Sequence, residues 1–426
     1  MMVAAALWIP SLRAFPIPRP FFFPRRLGVV RSSSQHDIVS EPPERIAIVG
    51  GGLAGLSTAF HLLERHQEQR LFTPLAITIL DKDSVGTGGA SAVAGGLVHP
   101  LSPRGKLVYL GVEGVRATEH LVQQACQANP NTNSIVLRRT LSSGNLCQAS
   151  HQLQQTAHEL PSLCQWMTPE ELFQNTAVSS SSCLGGLRLF NGCQVLHVPS
   201  YLQGVWAACQ SIRDSNSALL SVEWKQQDVT TDSTADYDAT VWAAGAGLLD
   251  DSLLRHVDSK ELPVQLVRGQ SVEIRLKPAT NNRQQALLSG KYVSPLPDSD
   301  LILVGATHEF DRDQPLTREQ VKQELQERTE HFCPHIWDDS SAVVERNTDG
   351  TRVQSQRGSR GRLPIVGQLQ SSNDWIFTGL SSRGLLYHGV YGKLLAHAIL
   401  ERSEACLEQQ CSGFDWWRGN GANKGT

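Results

Sequence analysis

The stretch Arg45-Ile46-Ala47-Ile48-Val49-Gly50-Gly51-Gly52-Leu53-Ala54-Gly55 constrains this chain more than any other. A short apolar run stops at three glycines, as a strand buried on both faces does. The glycines have G-x-G-x-x-G spacing, and Leu53, Leu56, Ala59, Phe60 and Leu63 then recur at helical intervals to about Arg65. Glycine at these places lets the turn close and the backbone approach a pyrophosphate. The helix N-terminus adds free N–H groups and a positive dipole end. A second apolar run, Leu75 to Leu80, ends at Asp81, 26 residues after Gly55. That is beyond the usual ~20, and the surplus lies in a polar loop, Gln67–Pro74. Strand, turn, helix and strand make one βαβ unit. The Asp81 carboxylate is placed to accept ribose hydroxyls, and an acid there disfavours the 2′-phosphate of NADP.

Three further segments favour FAD over NAD. Thr87–Gly96 is a loop of small residues able to lie against a flat ring system. Val241–Gly247 is a strand running into small residues, which permit close passage beneath a dinucleotide. Gly379–Gly384 heads a final helix to Leu400, whose dipole end suits an electron-rich flavin edge. Between these lie helical stretches from 113 to 189, including Gly114–Gln127 and Glu170–Phe173, and a polar loop tip at Ser179–Ser182. From 262 to 310 the pattern turns β-rich, with strands Leu262–Leu266, Gln270–Leu276, Lys291–Pro295 and Leu301–Val304, then a helix over Arg318–Phe332. The predicted fold is α/β, with a Rossmann-like FAD-binding domain (44–112, 190–261 and 350–404) interrupted by a β-rich α+β substrate domain (113–189 and 262–349). A C-terminal tail, 405–426, follows.

Residues 1–36 hold five arginines and no acid, with Pro-rich and Ser-rich pieces, which reads as a cleavable transit peptide. Its serine content and modest amphipathicity favour the chloroplast, with the mitochondrion as the alternative. Removing it leaves 33 Lys+Arg against 41 Asp+Glu, an acidic body that argues against general nucleic-acid binding. No later segment reaches the roughly 18 apolar residues of a membrane span. The nine cysteines are scattered, with no pair two residues apart, which fits a reducing compartment and no zinc site. No metal-ligand spacing is expected.

These motifs resemble the D-amino-acid oxidase (DAO) superfamily of FAD-dependent oxidoreductases over about 44–402. Besides the fingerprint, the matching pieces are Gly89–Gly96, His197–Leu202, Ala243–Gly247, Val267-Arg268-Gly269-Gln270 and Gly305-Ala306-Thr307. Gly350-Thr351-Arg352, Leu363–Gly367 and Gly379–Gly384 complete the set. Gly89-Ala90-Ser91 with Gly96–Leu101, and the Ser382–Leu385 turn, look most like the oxidase half of a bacterial bifunctional enzyme. That enzyme matures 5-methylaminomethyl-2-thiouridine in tRNA, and its methyltransferase half finds no room in these 426 residues. Tyr387-His388-Gly389 departs from the small residues and proline frequent in the family, which bears on the substrate more than on the flavin.

The resemblance implies oxidation of a C–N bond next to a carboxylate, by hydride transfer from the α-carbon of an unprotonated amine to FAD. Dioxygen or another acceptor then reoxidises the flavin. Arg352 is expected to hold the substrate carboxylate by its planar fork, with Arg383, Tyr292 and His308 as further catalytic candidates. His99 and His388 are weaker candidates for the flavin surroundings and for proton exchange. Cofactor contacts are expected at Gly50, Gly52, Leu53, Ala54, Gly55, Asp81, Lys82, Ala90, Ser91, Gly95, Gly96, Ala244, Gly245, Gly379, Ser382, Arg383, Gly384 and Leu385. The expected substrate is a small amine or amino acid, glycine-like or an N-substituted glycine. A carboxymethylated wobble uridine of tRNA, a 2-hydroxy acid, and a non-catalytic flavin-binding assembly role are the alternatives. Arg352, Arg357, Arg360 and Arg362 form the one RNA-facing patch the sequence offers if they are exposed.

Overall fold

The apolar run before the glycines is a strand, Glu44–Val49, in the interior of a six-stranded sheet. The order across the sheet is Ile365–Gln368, Asp374–Thr378, Ala239–Trp242, Glu44–Val49, Leu75–Asp81, Leu220–Gln226. Every pairing is parallel except that of Ile365–Gln368 with Asp374–Thr378. Covering on both faces explains why Ile46, Ala47 and Ile48 have no exposed surface. The computed structural model describes residues 42, 44–142, 147–176, 183–249, 262–277, 285–297, 299–310, 314–369 and 373–418. The proposed transit peptide and the Ser179–Ser182 loop tip lie outside the described residues.

Helix Leu53–Glu68 leaves the glycine turn and packs against the final long helix, Gly384–Glu401. Small residues set that approach: a Cβ on Gly392 would stand 2.5 Å from Ser57 Oγ, and one on Gly384 2.9 Å from Leu53 Cδ1. Gly111–Ala128 packs on the same final helix, where a Cβ on Gly114 would meet the Leu386 carbonyl at 2.4 Å. Both helix N-termini therefore open at one end of the sheet.

A larger sheet runs Glu309–Phe310, Val264–Leu276, Leu301–Gly305, Lys291–Pro295, Ala286–Ser289, Ser134–Ser142, Cys183–Leu189, Cys164–Met167. A long strand, Ala342–Ser355, lies antiparallel along Val264–Leu276. Val272, Ile274, Val293, Ile302 and Val304 form one apolar layer with Val321 and Leu325 of helix Arg318–Thr329. Alternation along the strand turns Tyr292 to the opposite face. Among the described residues no helix is long and apolar enough to cross a membrane.

The structure corrects several expectations. The described residues of 113–189 contain three strands as well as helices, and one strand, Val264–Leu276, stands where Leu262–Leu266 and Gln270–Leu276 were expected as two, continuing through Arg268 and Gly269. Ala342–Ser355 carries no apolar alternation and forms by pairing along its neighbour, so periodicity gives no sign of it. Residues 405–418 are packed as well: Trp416 and Trp417 donate their indole N–H groups to Pro364 and Val366 carbonyls at 3.1 and 3.2 Å.

Candidate active site

The fingerprint turn is shaped by what its glycines exclude. Gly50 has φ +99°, and a Cβ there would meet the Ala243 carbonyl at 2.6 Å; one on Gly55 would lie 1.8 Å from the Gly50 carbonyl. Strand Ala239–Trp242 and its small successors thus touch the turn directly, with Ala244 part-buried beside Gly245, whose φ is +56°. Gly52 caps helix Leu53–Glu68 without any side-chain hydrogen bond of its own. The first helical N–H, on Leu53, donates to Ser91 Oγ at 3.3 Å, which draws the Gly89–Gly96 loop over that terminus. Asp81 accepts the Gly51 N–H at 2.6 Å on one oxygen and the Asp83 N–H at 2.9 Å on the other. The carboxylate thereby fixes the turn and keeps a second lone pair on each oxygen for a sugar hydroxyl. Lys82 is exposed, with its carbonyl accepting from Gln226 at 3.2 Å.

The other wall comes from the large sheet. Tyr292 lies against the loop, so that a Cβ on Gly95 would fall 2.6 Å from its ring, and its hydroxyl is 2.8 Å from Ser271 Oγ. Burial raises the phenol's pKa, against Ser271 and Arg352, which lower it. Arg352 sits on strand Ala342–Ser355 two residues after Gly350, where a Cβ would meet Val93 Cγ2 at 2.5 Å and Ala90 Cα at 3.1 Å. Its Nε and Nη2 are buried and make no hydrogen bond among the described residues. These two nitrogens share one edge of the guanidinium, whose parallel N–H groups match the two oxygens of a carboxylate. An orphaned charged edge is costly inside a protein, so its presence points to a ligand. Burial lowers the guanidinium's pKa, with Arg362 adding to the effect.

The strand bearing Arg352 also reaches the third predicted element. Ser381 N–H donates to the Val353 carbonyl at 3.1 Å, and Ser381 Oγ accepts from Ser355 N–H at 3.2 Å. Gly379, at φ +69°, starts this turn, Ser382 is exposed, and Arg383 occupies the cap of helix Gly384–Glu401. Arg383 Nη1 donates to the Leu101 carbonyl at 3.5 Å, a long contact that leaves most of the guanidinium to other partners. Leu385 is buried, with its carbonyl accepting from Thr118 Oγ1 at 2.6 Å, so its side chain serves packing.

The histidines divide. His308 lies at the more exposed edge beside Arg352 and Lys291; burial first, then those two cations, lower its pKa and keep it neutral at pH 7. His388 is fully enclosed, its Nδ1–H donating to the Gly384 carbonyl at 3.1 Å and its Nε2 accepting from the Tyr201 hydroxyl at 2.6 Å. Burial takes its pKa down to about 3, which makes it a structural group. His99 Nδ1 accepts from the Leu101 N–H at 3.3 Å. Ser271 and Lys291 escape sequence reasoning. Lys291 donates to the Ala306 carbonyl at 2.5 Å and pairs with Glu324 at 2.9 Å, holding the segment that leads to His308. Their adjacency to Gln270 and Tyr292 in the sequence is the one signal that could have marked them.

A glycine cradle at two converging helix N-termini, with an acid at the second strand's end, fits a dinucleotide. The loop of small residues beneath Tyr292 and the orphaned Arg352 edge beside it fit a flat redox ring next to an anionic substrate. Fold and site together define a flavin-dependent oxidoreductase. The sequence profile of the DAO family, described as FAD dependent oxidoreductase, matches residues 45–398. The chain belongs to this family, it is an FAD-dependent oxidoreductase, and FAD is its cofactor.

Among curated proteins it is similar to the tRNA 5-methylaminomethyl-2-thiouridine biosynthesis bifunctional protein of Polaromonas naphthalenivorans, 24% identical over 86% of this chain and 60% of that one. The namesake from Actinobacillus pleuropneumoniae serotype 3 is 20% identical over 84% of this chain and 56% of its own. The chain therefore spans less than two thirds of the length of these relatives. Among solved structures, glycine oxidase from Geobacillus kaustophilus superposes with TM-score 0.65 at 20% identity, over 85% of this chain and 96% of that one. Iminodiacetate oxidase from Chelativorans sp. BNC1 gives 0.66 at 17% identity, over 86% and 98%.

Proposed function

We propose that this enzyme oxidises the C–N bond of an amine or amino acid that carries a carboxylate on the reacting carbon. The observation that carries the reading is the buried Nε/Nη2 edge of Arg352, without a partner among the described residues and close to Tyr292. A carboxylate held on that edge gains two charge-assisted hydrogen bonds and fixes the adjacent α-carbon in position. Bound FAD supplies the two-electron acceptor for the hydride that leaves this carbon. Gly50–Gly55, Asp81, the Gly89–Gly96 loop and the Gly379–Gly384 turn would hold the cofactor. Tyr292, pinned by Ser271, closes one side of the reacting centre and limits water there. Neutral His308, on the wet side of Arg352, is positioned to take a proton from an ammonium substrate. Water then hydrolyses the imine product.

A second reading shares the same clamp. A carboxymethyl group on a secondary amine of a modified tRNA base is itself an N-substituted glycine, and the similarity to the two bifunctional tRNA-modifying proteins favours it. Import into an organelle, the chloroplast first, is proposed on the arginine-rich, acid-free stretch 1–36.

The test is an anaerobic titration of the purified flavoprotein with glycine, sarcosine and iminodiacetate. Bleaching of the flavin bands by one of them is the expected result. Bands that stay oxidised with all three, yet bleach with a 2-hydroxy acid, would overturn C–N oxidation. Bleaching by a tRNA carrying the carboxymethylated base, but by no free amine, would select the second reading.

A further inference from the structure

We propose that the arginine hairpin outside the candidate active site is a docking surface for the phosphodiester backbone of an RNA strand. The proposal rests on the second reading above and assigns its partner a place on the protein. From Gly350 to Asn373 the sequence holds four arginines and no acid, within a chain whose Asp+Glu outnumber its Lys+Arg, 41 to 38. Strands Arg357–Gly358 and Gly361–Arg362 pair antiparallel, with Arg357 directly opposite Arg362. Like charges facing each other across a ladder destabilise it; Arg362 is held there by donating to the Ser355 carbonyl, whereas the guanidinium of Arg357 is left to solvent. Neither arginine has a carboxylate partner among the described residues, and the same is true of Arg352, Arg360 and Arg383.

Position supports a substrate-linked role. The hairpin begins two residues beyond Ser355, whose N–H contacts Ser381 in the turn before Arg383. Arg362 lies near enough to Arg352, and Arg357 to Arg383, for each to lower its neighbour's pKa, although burial is the larger cause in both. Arg357 and Arg360 are exposed, whereas the Arg352 edge is buried, so a glycine-sized molecule on Arg352 leaves them to solvent. A polyanion with one base inserted would span both. Arg360 lies over the Tyr109 ring at 4.9 Å, a flat cationic surface of the kind on which unstacked bases and phosphates rest.

The experiment measures binding of a fluorescent RNA hairpin to the flavin-loaded full chain across a salt series. It compares wild type with Arg357→Gln, Arg360→Gln and Arg360→Lys. Arg357 makes no side-chain hydrogen bond or ion pair among the described residues; Arg360 also donates to Ser412, and the lysine variant keeps the charge there. Expected are binding that weakens steeply with salt, and a loss of up to about fivefold per glutamine substitution at low salt. The log–log salt slope should shrink by about 0.7 per arginine removed, and Arg360→Lys should retain most of the affinity. Reduction of the flavin by a free amine is followed in parallel and should not change. No RNA binding at low salt, or binding that ignores the substitutions, overturns the proposal. So does a raised KM for a dicarboxylic amine without RNA binding, which would give the hairpin to a small dianion. RNA binding that depends on the hairpin, while neither a free carboxylated amine nor a tRNA carrying the carboxymethylated base reduces the flavin, would instead sink the proposed chemistry and leave the docking surface standing.

Discussion

Replacing Arg352 by methionine should make the enzyme worse and the protein more stable, and the opposite signs make the test decisive. Nε and Nη2 of Arg352 are buried without hydrogen-bond partners among the described residues. An unsatisfied buried donor costs about 1–3 kcal/mol, more when charged, so removing both relieves roughly 2–4 kcal/mol, before any packing that the shorter methionine gives up. Unfolding entropy near 2.1 cal/mol/K per residue, over 426 residues, converts this to a Tm increase of about 2–4 °C. Catalysis moves the other way. Losing one member of a buried, hydrogen-bonded charge pair costs about 2–5 kcal/mol, or roughly 30- to 5000-fold in kcat/KM at 1.36 kcal/mol per decade. Arg352→Lys keeps the charge without the fork and should fall between. The assay pairs thermal melting of the flavin-loaded proteins, without substrate, with anaerobic flavin reduction by the best amine. A Tm that falls together with activity would refute the reasoning, because it would make Arg352 a prop of the fold.

Two further outcomes follow from other parts of the molecule. Gly55→Ala should yield protein that retains no FAD, read as missing flavin absorbance, because its Cβ would stand 1.8 Å from the Gly50 carbonyl. For Glu64, burial raises the carboxyl pKa, but hydrogen bonds from His120 at 2.6 Å and His61 at 2.9 Å outweigh it and hold it at about 2. A depressed pKa contributes stability above the unfolded value, lost as pH falls through the folded one. The raised pKa of His120 contributes below its own unfolded value and is lost as pH rises through its folded one. Glu64→Gln should therefore lower Tm most near pH 5–6 and least near pH 2; an effect that is flat with pH would contradict the assignment.

The nucleotide-binding half of the fold was legible because its signals are local. Three glycines, a helical stripe and a strand ending in an acid lie within one stretch of chain, and each glycine is demanded by a contact the sequence motif already implies. The substrate half was less legible because its strands are defined by partners distant in sequence. Ala342–Ser355 has only its ends buried and reads as polar coil until Val264–Leu276 lies beside it. Arg352 was found through family resemblance and Tyr292 through its place on a β-rich segment, and nothing in the spacing alone brings residues 60 positions apart to the same loop. Ser271 and Lys291 were missed because each acts through a hydrogen bond, Ser271 to Tyr292 and Lys291 to the Ala306 carbonyl and Glu324, and beyond adjacency to Gln270 and Tyr292 such bonds leave no trace in residue order. His388 shows the converse: a histidine within a departure from the family pattern turned out to be enclosed and neutral.

The contact of Gly350 with Ala90 and Val93 joins the strand that carries the proposed carboxylate clamp to the loop proposed to cover the cofactor. Each ligand therefore meets a backbone whose position the other one restrains, and the two binding equilibria are thermodynamically reciprocal. Flavin loading should organise the clamp, so that the apoprotein is a poor trap for carboxylates. By the same factor, a carboxylate seated on Arg352 should slow the escape of FAD. An enzyme built this way holds its prosthetic group most firmly when substrate is plentiful and sheds it most readily when starved.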